Sequence, residues 1–470
     1  MTDCNDPTFE FQAHNRKKVV MDFNGGDITS DAGAMLLKQT DQCLNLLPRF
    51  AACFEDHRDQ ELIEHSVSDL SRQRVFGLCL GYEDLNDHDD LRRDRLLALA
   101  VGKKDITGND RLRKRDEGIA LAGKSTLNRL EQVPPTDEMS RYQKIGYDPF
   151  KVDRLMTDVF LESHAIAPKR IYLDLDNTDA AIHGDQEGKF FHGYYGNYCY
   201  MPLYIFCGEQ LLLCRLQSSN VDGAAHAVIE VKRIVEQIRS KWPEVEIVLR
   251  GDSGFCREPL MSWCEENDVL YIFGMGTNAR LDKKIRKLLN KSRSRFHVTG
   301  KSNRRYRGFW YRTQKTWPRK RWVVGKAEVL EKGENPRFIV TNLKNEGIGN
   351  QKLYEEIYCA RGEMENRIKE QQMGLFADRV SAEKMRSNQL RLYFSGMGYI
   401  LMETLRRLGL KGTDYAKAQC TTIREKIFKI GAQIKVSVRR IVLSLAGGYP
   451  YKEVLRKIFE NLAPVICLSG

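Results

Sequence analysis

Three acidic residues have the surroundings that a metal-binding carboxylate needs. Asp252 follows an apolar run and lies between Gly251 and Gly254, where the backbone bends or lets a ligand approach. Asp176 ends a second run, with alternating apolar residues, and Glu365 lies in a stretch with helical spacing. Three such carboxylates can hold two divalent ions, Mg²⁺ or Mn²⁺, that activate water in phosphodiester displacement. Taken singly, each acid is more often a helix cap or a surface residue, so the hypothesis requires all three to meet.

Two of these acids have rivals nearby. Asp174 and Asp176 alternate with apolar residues, so both fall on the same face of a predicted strand and the pattern leaves the choice open. Glu363 is the rival of Glu365. Two residues along a helix correspond to a rotation of about 200°, so Glu363 would point away from the face that carries Glu365.

The predicted helix around Glu365 places other polar residues on one face. Tyr358, Arg361, Glu365, Lys369 and Gln372 follow one another at spacings of 3, 4, 4 and 3. These spacings bring side chains to the same side of a helix. An acid would therefore share its surface with an aromatic hydroxyl and two cationic groups.

Positive charge is concentrated in two segments of the chain. Between Arg280 and Lys326 there are 18 Lys or Arg residues and one acidic residue, and between Lys384 and Arg440 there are 13 basic and 3 acidic residues. The net charge of the whole chain is only +12, so the remainder is acidic. A solvated basic face is the simpler interpretation, but charge of this density repels itself without a partner. We therefore expect a polyanion, most simply a nucleic acid, as partner.

The order of predicted elements indicates the fold. From residue 170 the patterns predict three strands, a helix, a strand, a helix and a strand, at 171–176, 202–207, 211–216, 224–242, 247–252, 258–267 and 269–273. With acids on the first and fourth strands, this is the order of a ribonuclease H-like core. We predict an α/β protein whose core, 166–276 and 349–380, is interrupted by a basic antiparallel β insertion, 277–348. A mainly helical DNA-binding region, 1–165, and a helical basic region, 381–470, flank it.

One contiguous motif suggests a different chemistry. Gly118 to Ser125 fits the phosphate-loop pattern G-x-x-x-x-G-K-[ST] in every letter. A phosphate loop needs a buried strand before it, whereas the charged run 111–117 precedes this one. We predict a chance match in which Ser125 or Thr126 caps a short helix.

The composition indicates the cellular compartment of the protein. The 12 cysteines include no Cys-x-x-Cys pair, which favours reduced thiols over disulfides or zinc. No apolar run approaches the length of a membrane span, and the polar, acidic start differs from a signal peptide. A cytoplasmic protein without a membrane partner is expected.

Several stretches together match a known family. They are 23–33, 73–84, Leu-Asp-Leu-Asp-Asn-Thr-Asp at 173–179, Arg-Gly-Asp-Ser-Gly-Phe at 250–255, and Tyr358-x-x-Arg361-x-x-x-Glu365. In these stretches the chain resembles the DDE transposases of bacterial insertion sequences, most closely the insertion-sequence-1380 group. The resemblance covers nearly the whole chain.

The resemblance implies roles for individual residues. Asp176, Asp252 and Glu365 would bind two divalent cations, with Asp176 preferred to Asp174 because Asp176-x-Thr178 matches the family's first motif. Tyr358 and Arg361 would contact phosphates at the transposon ends. Where the family signature has lysine this chain has Gln372, and Lys369, one turn earlier, is the expected substitute.

The tryptophans of the predicted insertion allow two interpretations. Transposases that process both strands can use an aromatic side chain of such an insertion to hold a flipped base, which would make Trp310, Trp317 and Trp322 DNA-binding residues. The alternative is that at least two of them form the core of the small module.

The sequence-based conclusion is a nucleoid-associated bacterial transposase that binds the ends of an insertion sequence. It would cleave double-stranded DNA by metal-dependent hydrolysis and join the 3′ hydroxyls to target DNA, acting as a homodimer on two ends. One alternative is a non-catalytic DNA-binding protein derived from a transposase. The other is a nucleotide-driven phosphate-loop protein that uses Lys124.

Overall fold

The chain forms two compact units that both combine helices with strands. The computed structural model describes residues 8–133, 142–343 and 347–468. One unit comprises residues 1–147 and 397–470, and the other comprises residues 148–396. Within the described residues, no helix combines the length and apolar character that a membrane crossing requires.

The first segment of one unit, residues 8–133 and 142–147, contains more helix than strand. Its strands in this segment are β1 (Phe9–His14), β2 (Lys17–Met21), β3 (Ile28–Thr29), β4 (Phe54–Asp56) and β5 (Ile145–Tyr147). Its helices there are α1 (Ala34–Leu44), α2 (Leu46–Ala51), α3 (Val67–Leu80), α4 (Asp87–Leu91), α5 (Arg95–Val101) and α6 (Lys124–Glu131). Helix α3 begins at a capping box, in which Ser66 and Asp69 each accept the other's backbone N–H, and ends at Gly81 with φ 99°.

The second unit is organised around one large mixed sheet. The strands of the unit are β6 (Arg170–Asn177), β7 (Ala180–Ala181), β8 (Phe190–His192), β9 (Asn197–Tyr200), β10 (Leu203–Cys207), β11 (Gln210–Arg215), β12 (Glu246–Gly251), β13 (Leu270–Met275), β14 (Asn303–Tyr311), β15 (Arg321–Leu330), β16 (Gly333–Glu334) and β17 (Arg337–Thr341). The helices from residue 148 to 404 are α7 (Pro149–Glu162), α8 (Ala227–Lys241), α9 (Glu258–Glu266), α10 (Ala279–Thr299), α11 (Asn350–Lys352), α12 (Gly362–Leu375) and α13 (Met385–Thr404).

The centre of this sheet is a parallel trio. The strand order is β11-β10-β6-β12-β13-β17-β15-β14, with β16 beside β15. Strand β12 pairs in parallel with both β6 and β13, and the other pairs are antiparallel. Apolar residues on β6 and β12, such as Leu173 and Leu249, are fully buried in one core cluster with Val231 and Ile234 of α8. Each predicted strand and helix between residues 170 and 275 is present in its predicted order, and three short strands that were not predicted, β7, β8 and β9, lie between β6 and β10.

The predicted insertion differs from its expectation in two respects. Its strands do not form a separate module, because β17 pairs with β13 and the sheet continues through β15 to β14. Phe273 of β13 lies opposite Val340 of β17, and both belong to the same core cluster as Leu173. Pairing with β17 also satisfies the edge of β13, which would otherwise leave unpaired backbone groups. The basic first half of the segment is helix α10.

The C-terminal segment contains more strand than predicted. Helices α14 (Cys420–Ile423) and α15 (Lys452–Leu468) are separated by the hairpin of β18 (Ala432–Val436) and β19 (Ile441–Leu445). Strand β18 also pairs with β3. The hairpin turn is closed by the N–H of Ser437, which donates to the carbonyl of Arg440 at 2.8 Å. The region expected to be helical therefore contains helices and, in addition, a β-hairpin.

Candidate active site

The candidate active site is a cleft of about 760 Å³ at the carboxyl ends of β6 and β12. Parallel neighbouring strands end at the same edge of a sheet, so acids that follow them are brought together. The polar side chains of the cleft that the sequence had singled out are Asp176, Asp252, Arg361, Glu365, Lys369 and Gln372. The structure thus brings together three acids that lie far apart in the sequence.

Asp252 begins a tight turn directly after β12. Its Oδ1 accepts the backbone N–H of Gly254 at 2.8 Å, which fixes the carboxylate at the end of the strand. Gly251 has a different role from the one expected of it. A Cβ at Gly251 would lie 2.9 Å from the ring of Phe255, so this glycine accommodates a core side chain rather than a ligand.

The two aspartates of β6 have different surroundings. Asp174 is 3% exposed and accepts two hydrogen bonds from Arg250, at 2.6 and 2.7 Å. Arg250 lies opposite Asp174 in the parallel register and also donates to the carbonyl of Ile357 at 2.9 Å. Burial raises the pKa of Asp174, and the bidentate arginine opposes that shift. Asp174 is therefore fully engaged within the protein and does not line the cleft.

Asp176 faces the cleft and has a weaker partner. Its Oδ2 lies 3.5 Å from Nη1 of Arg361, and the other guanidinium nitrogen of Arg361 lies 3.9 Å from Glu365. Burial raises the pKa of Asp176 to about 6; Arg361 opposes this shift, and the charges of Asp252 and Glu365 add to it. A carboxylate that burial and neighbouring acids destabilise in its charged form is a suitable place for a cation.

The segment that carries Glu365 is less regular than predicted. Residues Leu353–Tyr358 form a π-helical turn and Cys359–Arg361 a 3₁₀ turn, before α12 begins at Gly362. Arg361, Glu365, Lys369 and Gln372 all line the cleft, as their spacing predicts. The wide π turn changes the position of Tyr358 relative to that face, and π turns of this kind are frequent at functional sites.

Tyr358 packs behind the cleft. Its ring lies 5.7 Å from the guanidinium of Arg361, measured to the ring centroid. A Cβ at Gly274 would lie 2.6 Å from the hydroxyl of Tyr358 and 2.9 Å from the backbone nitrogen of Ser253. Gly274 therefore allows Tyr358 to approach the turn that positions Asp252.

Gln372 connects the helix to the strand that carries Asp176. Its Nε2 donates to the carbonyl of Asp179 at 3.1 Å and to the hydroxyl of Thr178 at 3.4 Å. Lys369, one turn earlier on α12, is exposed and lines the cleft. Because the amide of Gln372 is already hydrogen-bonded within the protein, Lys369 is the better placed of the two to contact a phosphate.

Aromatic residues of the hairpin β8–β9 complete the cleft. His192, Tyr194 and Tyr195 line it, and none of the three was among the predicted site residues. Burial raises the pKa of Tyr195 to about 12, and the charges of Asp179 and Asp176 contribute to the shift. The aromatic density of 190–200 was a visible signal, but its position beside the acids depends on pairing between distant segments.

The three tryptophans lie outside the cleft. Trp317 is only 6% exposed and packs edge-on against Tyr311 in the core, so its interpretation as a DNA-stacking residue was wrong. Trp310 is 50% exposed on β14, and its ring lies 5.5 Å from that of Trp322 on β15. The second interpretation, a tryptophan that packs in the core, describes Trp317, which lies between β14 and β15.

The stretch Gly118 to Ser125 does not form a phosphate-binding loop. No strand precedes it among the described residues of this stretch, and α6 begins at Lys124 without a side-chain cap, so Ser125 and Thr126 are not the caps we expected. The backbone N–H of Lys124 donates to Asp89 at 3.0 Å, and the ammonium group of Lys124 lies 3.5 Å from the same carboxylate. A carboxylate of the protein thus occupies the place that a phosphate would take.

The carboxylate oxygens of the cleft are the ligand type that a hard divalent cation prefers, but they are not arranged around one metal position. Asp176, Asp252 and Glu365 supply only oxygen ligands, which suit Mg²⁺ or Mn²⁺. In the described part of the chain, however, no three acidic, histidine or cysteine side chains are close enough together to hold a metal ion. Arg361 lies between Asp176 and Glu365, and the side chain of Glu365 is 54% exposed.

Comparisons with known proteins define the class. The model of the transposase DDE domain group 1 family matches residues 11–467, so the chain belongs to this family. A cryo-EM structure of the piggyBac transposase synaptic complex with hairpin DNA is similar over 93% of this chain and 85% of that chain, with 11% identity and a TM-score of 0.40. No curated protein sequence matches the chain.

Proposed function

We propose that this chain is a DNA transposase of the insertion-sequence-1380 group that cleaves the ends of its element and joins the 3′ hydroxyls to target DNA. The observation that supports this most directly is the convergence of Asp176, Asp252 and Glu365 on one cleft. Family membership provides the reaction class, and the cleft provides residues able to perform it. The fold we propose is a ribonuclease H-like core, supported by the parallel β6–β12–β13 trio.

In this mechanism the three carboxylates would hold two divalent cations. The cations, when bound, would activate water or a 3′ hydroxyl and stabilise the leaving oxygen. The protein contributes positioning: the turn after β12 fixes Asp252, and Gln372 keeps α12 against the loop that follows Asp176. Such fixed placement of reacting groups is a large part of catalysis.

Arg361 is proposed to exchange partners when DNA binds. Without DNA its guanidinium lies between Asp176 and Glu365. A phosphate in the cleft offers a stronger, bidentate partner, so the guanidinium would turn towards DNA and release the two acids for cations. Tyr358 supports Arg361 from behind, and Lys369 contributes a second positive charge.

The basic surface of α10 and β14 is proposed to bind the DNA that enters the cleft. Of the 18 basic residues between Arg280 and Lys326, 16 are exposed. Arg321 is an exception, because it is buried in a network with Glu258 and Glu265. An exposed surface of this charge density favours contacts with phosphates, which supply affinity rather than sequence recognition. Trp310 lies on β14, and Trp322 lies opposite it on the neighbouring strand β15. Synapsis of two ends by a homodimer is part of the proposal.

The decisive experiment is cleavage of DNA that carries the inverted repeats flanking the gene. The wild-type chain is expected to nick this DNA with Mg²⁺ and not in the presence of a chelator, whereas Asp252→Asn is expected to bind it without nicking. Full Mg²⁺-dependent cleavage by Asp252→Asn would refute the assignment. Binding without cleavage by the wild type would favour a non-catalytic DNA-binding protein.

A further inference from the structure

The β1–β2 hairpin carries an apolar face that the described part of the chain leaves open to solvent. Four apolar side chains share this face, because the antiparallel register sets Phe9 opposite Met21 and Phe11 opposite Val19. Each of them is between 38% and 55% exposed. The opposite face carries Glu10 and Lys18, which form an ion pair. Because an isolated two-stranded sheet is marginally stable in water, such a hairpin needs a partner that covers its apolar face.

The β18–β19 hairpin, which belongs to the same unit, also has an apolar face that is only partly covered. The register pairs six apolar residues on this face, namely Ala432 with Leu445, Ile434 with Leu443 and Val436 with Ile441. Ala432 and Ile434 are buried, whereas Val436, Ile441 and Leu445 are 41% or 42% exposed. Strand β19 lies at the edge of its three-stranded sheet. An exposed apolar edge strand is a surface on which another β element readily packs.

The two faces match each other in size and in charge. Strand β1 has six residues, and β2, β18 and β19 have five each. Asp22 follows β2 at the open end of the first hairpin, and Arg439 and Arg440 lie in the turn of the second. All three are exposed. When the open end of the β1–β2 hairpin lies over the turn of the β18–β19 hairpin, opposite charges meet there and the apolar side chains pack between the sheets.

We propose that the β1–β2 hairpin of one chain covers the β18–β19 hairpin of a second copy. Within a single chain the two faces do not cover each other, since both are exposed there. Each chain carries both faces, so two copies related by a two-fold axis make the contact twice and leave neither face open. This contact joins two chains before DNA binds, and it does not depend on the proposed reaction.

The test is the mass of the full-length chain without DNA, measured by analytical ultracentrifugation at micromolar concentration. The wild type is expected to be a dimer. Val19→Lys and Ile441→Lys place a charge on the two apolar faces, and each should weaken dimerisation by at least about tenfold. The matched controls are Val20→Lys and Ser444→Lys, which place the same charge on the opposite face of each hairpin and should leave the mass unchanged.

A mixture of Val19→Lys and Ile441→Lys tests whether the two hairpins pair with each other. Neither variant can form an intact contact with itself. Together they retain one, between β1–β2 of Ile441→Lys and β18–β19 of Val19→Lys. The mixture is therefore expected to dimerise more tightly than either variant alone and less tightly than the wild type. Thermal melting of each variant checks that it is folded.

A wild-type chain that is monomeric without DNA, or folded variants whose mixture stays monomeric, would overturn the proposal. An unchanged mass of Val19→Lys, together with weaker DNA binding than that of Val20→Lys, would assign the β1–β2 hairpin to DNA instead. Nicking of end-containing DNA by the wild type is measured separately. A dimer that does not nick contradicts the proposed function alone, and nicking by a chain that is monomeric without DNA contradicts this contact alone.

Discussion

Residues 118–125 match a phosphate-binding motif in consecutive letters, whereas Asp176, Asp252 and Glu365 come from three separate elements. In the first region the groups that would bind phosphate already have protein partners, since Asp89 engages both the backbone and the side chain of Lys124. In the second, acids face an open cleft and Arg361 approaches them only at 3.5 Å or more. A binding site needs polar groups that are not already engaged by the protein. A match to a contiguous sequence motif does not show whether its groups are engaged.

The largest effect that separates the two regions is expected from Asp176→Asn. DNA cleavage should fall by about a thousandfold or more, because a cation ligand is lost. Thermal stability should stay the same or rise, because burial disfavours the charged form of Asp176. Cleavage gels and melting curves of the same preparation measure both properties. Near-normal cleavage by Asp176→Asn would remove this acid from the site.

Asp174→Asn is expected to affect folding instead. It leaves Arg250 buried without its bidentate carboxylate, which should lower the free energy of unfolding by about 3 to 5 kcal/mol. Urea unfolding measures the change. The matched control is Asp222→Asn, whose pair with Arg257 is nearly half exposed and should contribute less than about 1 kcal/mol. If Asp174→Asn and Asp222→Asn lowered the free energy of unfolding equally, the structural role that we assign to Asp174, as opposed to Asp176, would be contradicted.

A pH titration tests the packing of the region around 118–125. His88 is fully buried beside Gln73, which also bonds the backbone of Ala122. Burial, with a contribution from Arg74, lowers the pKa of His88 from 6.5 to about 3. The unfolded chain therefore takes up a proton below pH 6.5 that the folded chain refuses until about pH 3. Stability present above pH 6.5 is lost as the pH falls, by about 2 kcal/mol at pH 5.

The variant His88→Asn isolates this contribution. Its free energy of unfolding should begin lower at pH 7, because a buried ring is lost, but should decline less between pH 7 and pH 5 than that of the wild type. His65, whose pKa burial also lowers to about 3, remains in both proteins and cancels in the comparison. Identical slopes would contradict a neutral, buried His88.

The smallest effect is expected from Lys124→Ala. Its ammonium group is half exposed and pairs with Asp89, so the free energy of unfolding should change by less than about 1 kcal/mol. Cleavage should be unchanged and should need no nucleotide. Loss of cleavage in Lys124→Ala together with a requirement for ATP would restore the phosphate-loop interpretation.

Local pattern was enough to predict the elements that carry the acids. The alternation around Asp176 and the apolar run before Asp252 predicted β6 and β12, and helical spacing placed Arg361, Glu365 and Lys369 on one face. These features depend on residues within one element. Each is therefore visible before any tertiary contact is known.

Features that depend on pairing between distant segments were not visible. The choice between Asp174 and Asp176 required the parallel register that sets Arg250 opposite Asp174. The continuation of the sheet from β13 to β17, and the approach of Tyr194 to the acids, required the same kind of information. The π turn before Arg361 is a local feature that the sequence also did not reveal, because one extra residue in a helical turn leaves no periodic pattern of apolar residues.

The sheet also has a consequence for the timing of synthesis. The strands β6 and β12 are complete long before the ribosome reaches Glu365, and β14, β15 and β17 must be added to the sheet in between. A nascent or prematurely terminated chain that ends before α12 thus lacks one of the three acids, however well its earlier strands fold. Under the proposed function, such fragments would be harmless to the chromosome, and only a polypeptide that includes α12 would be able to break DNA.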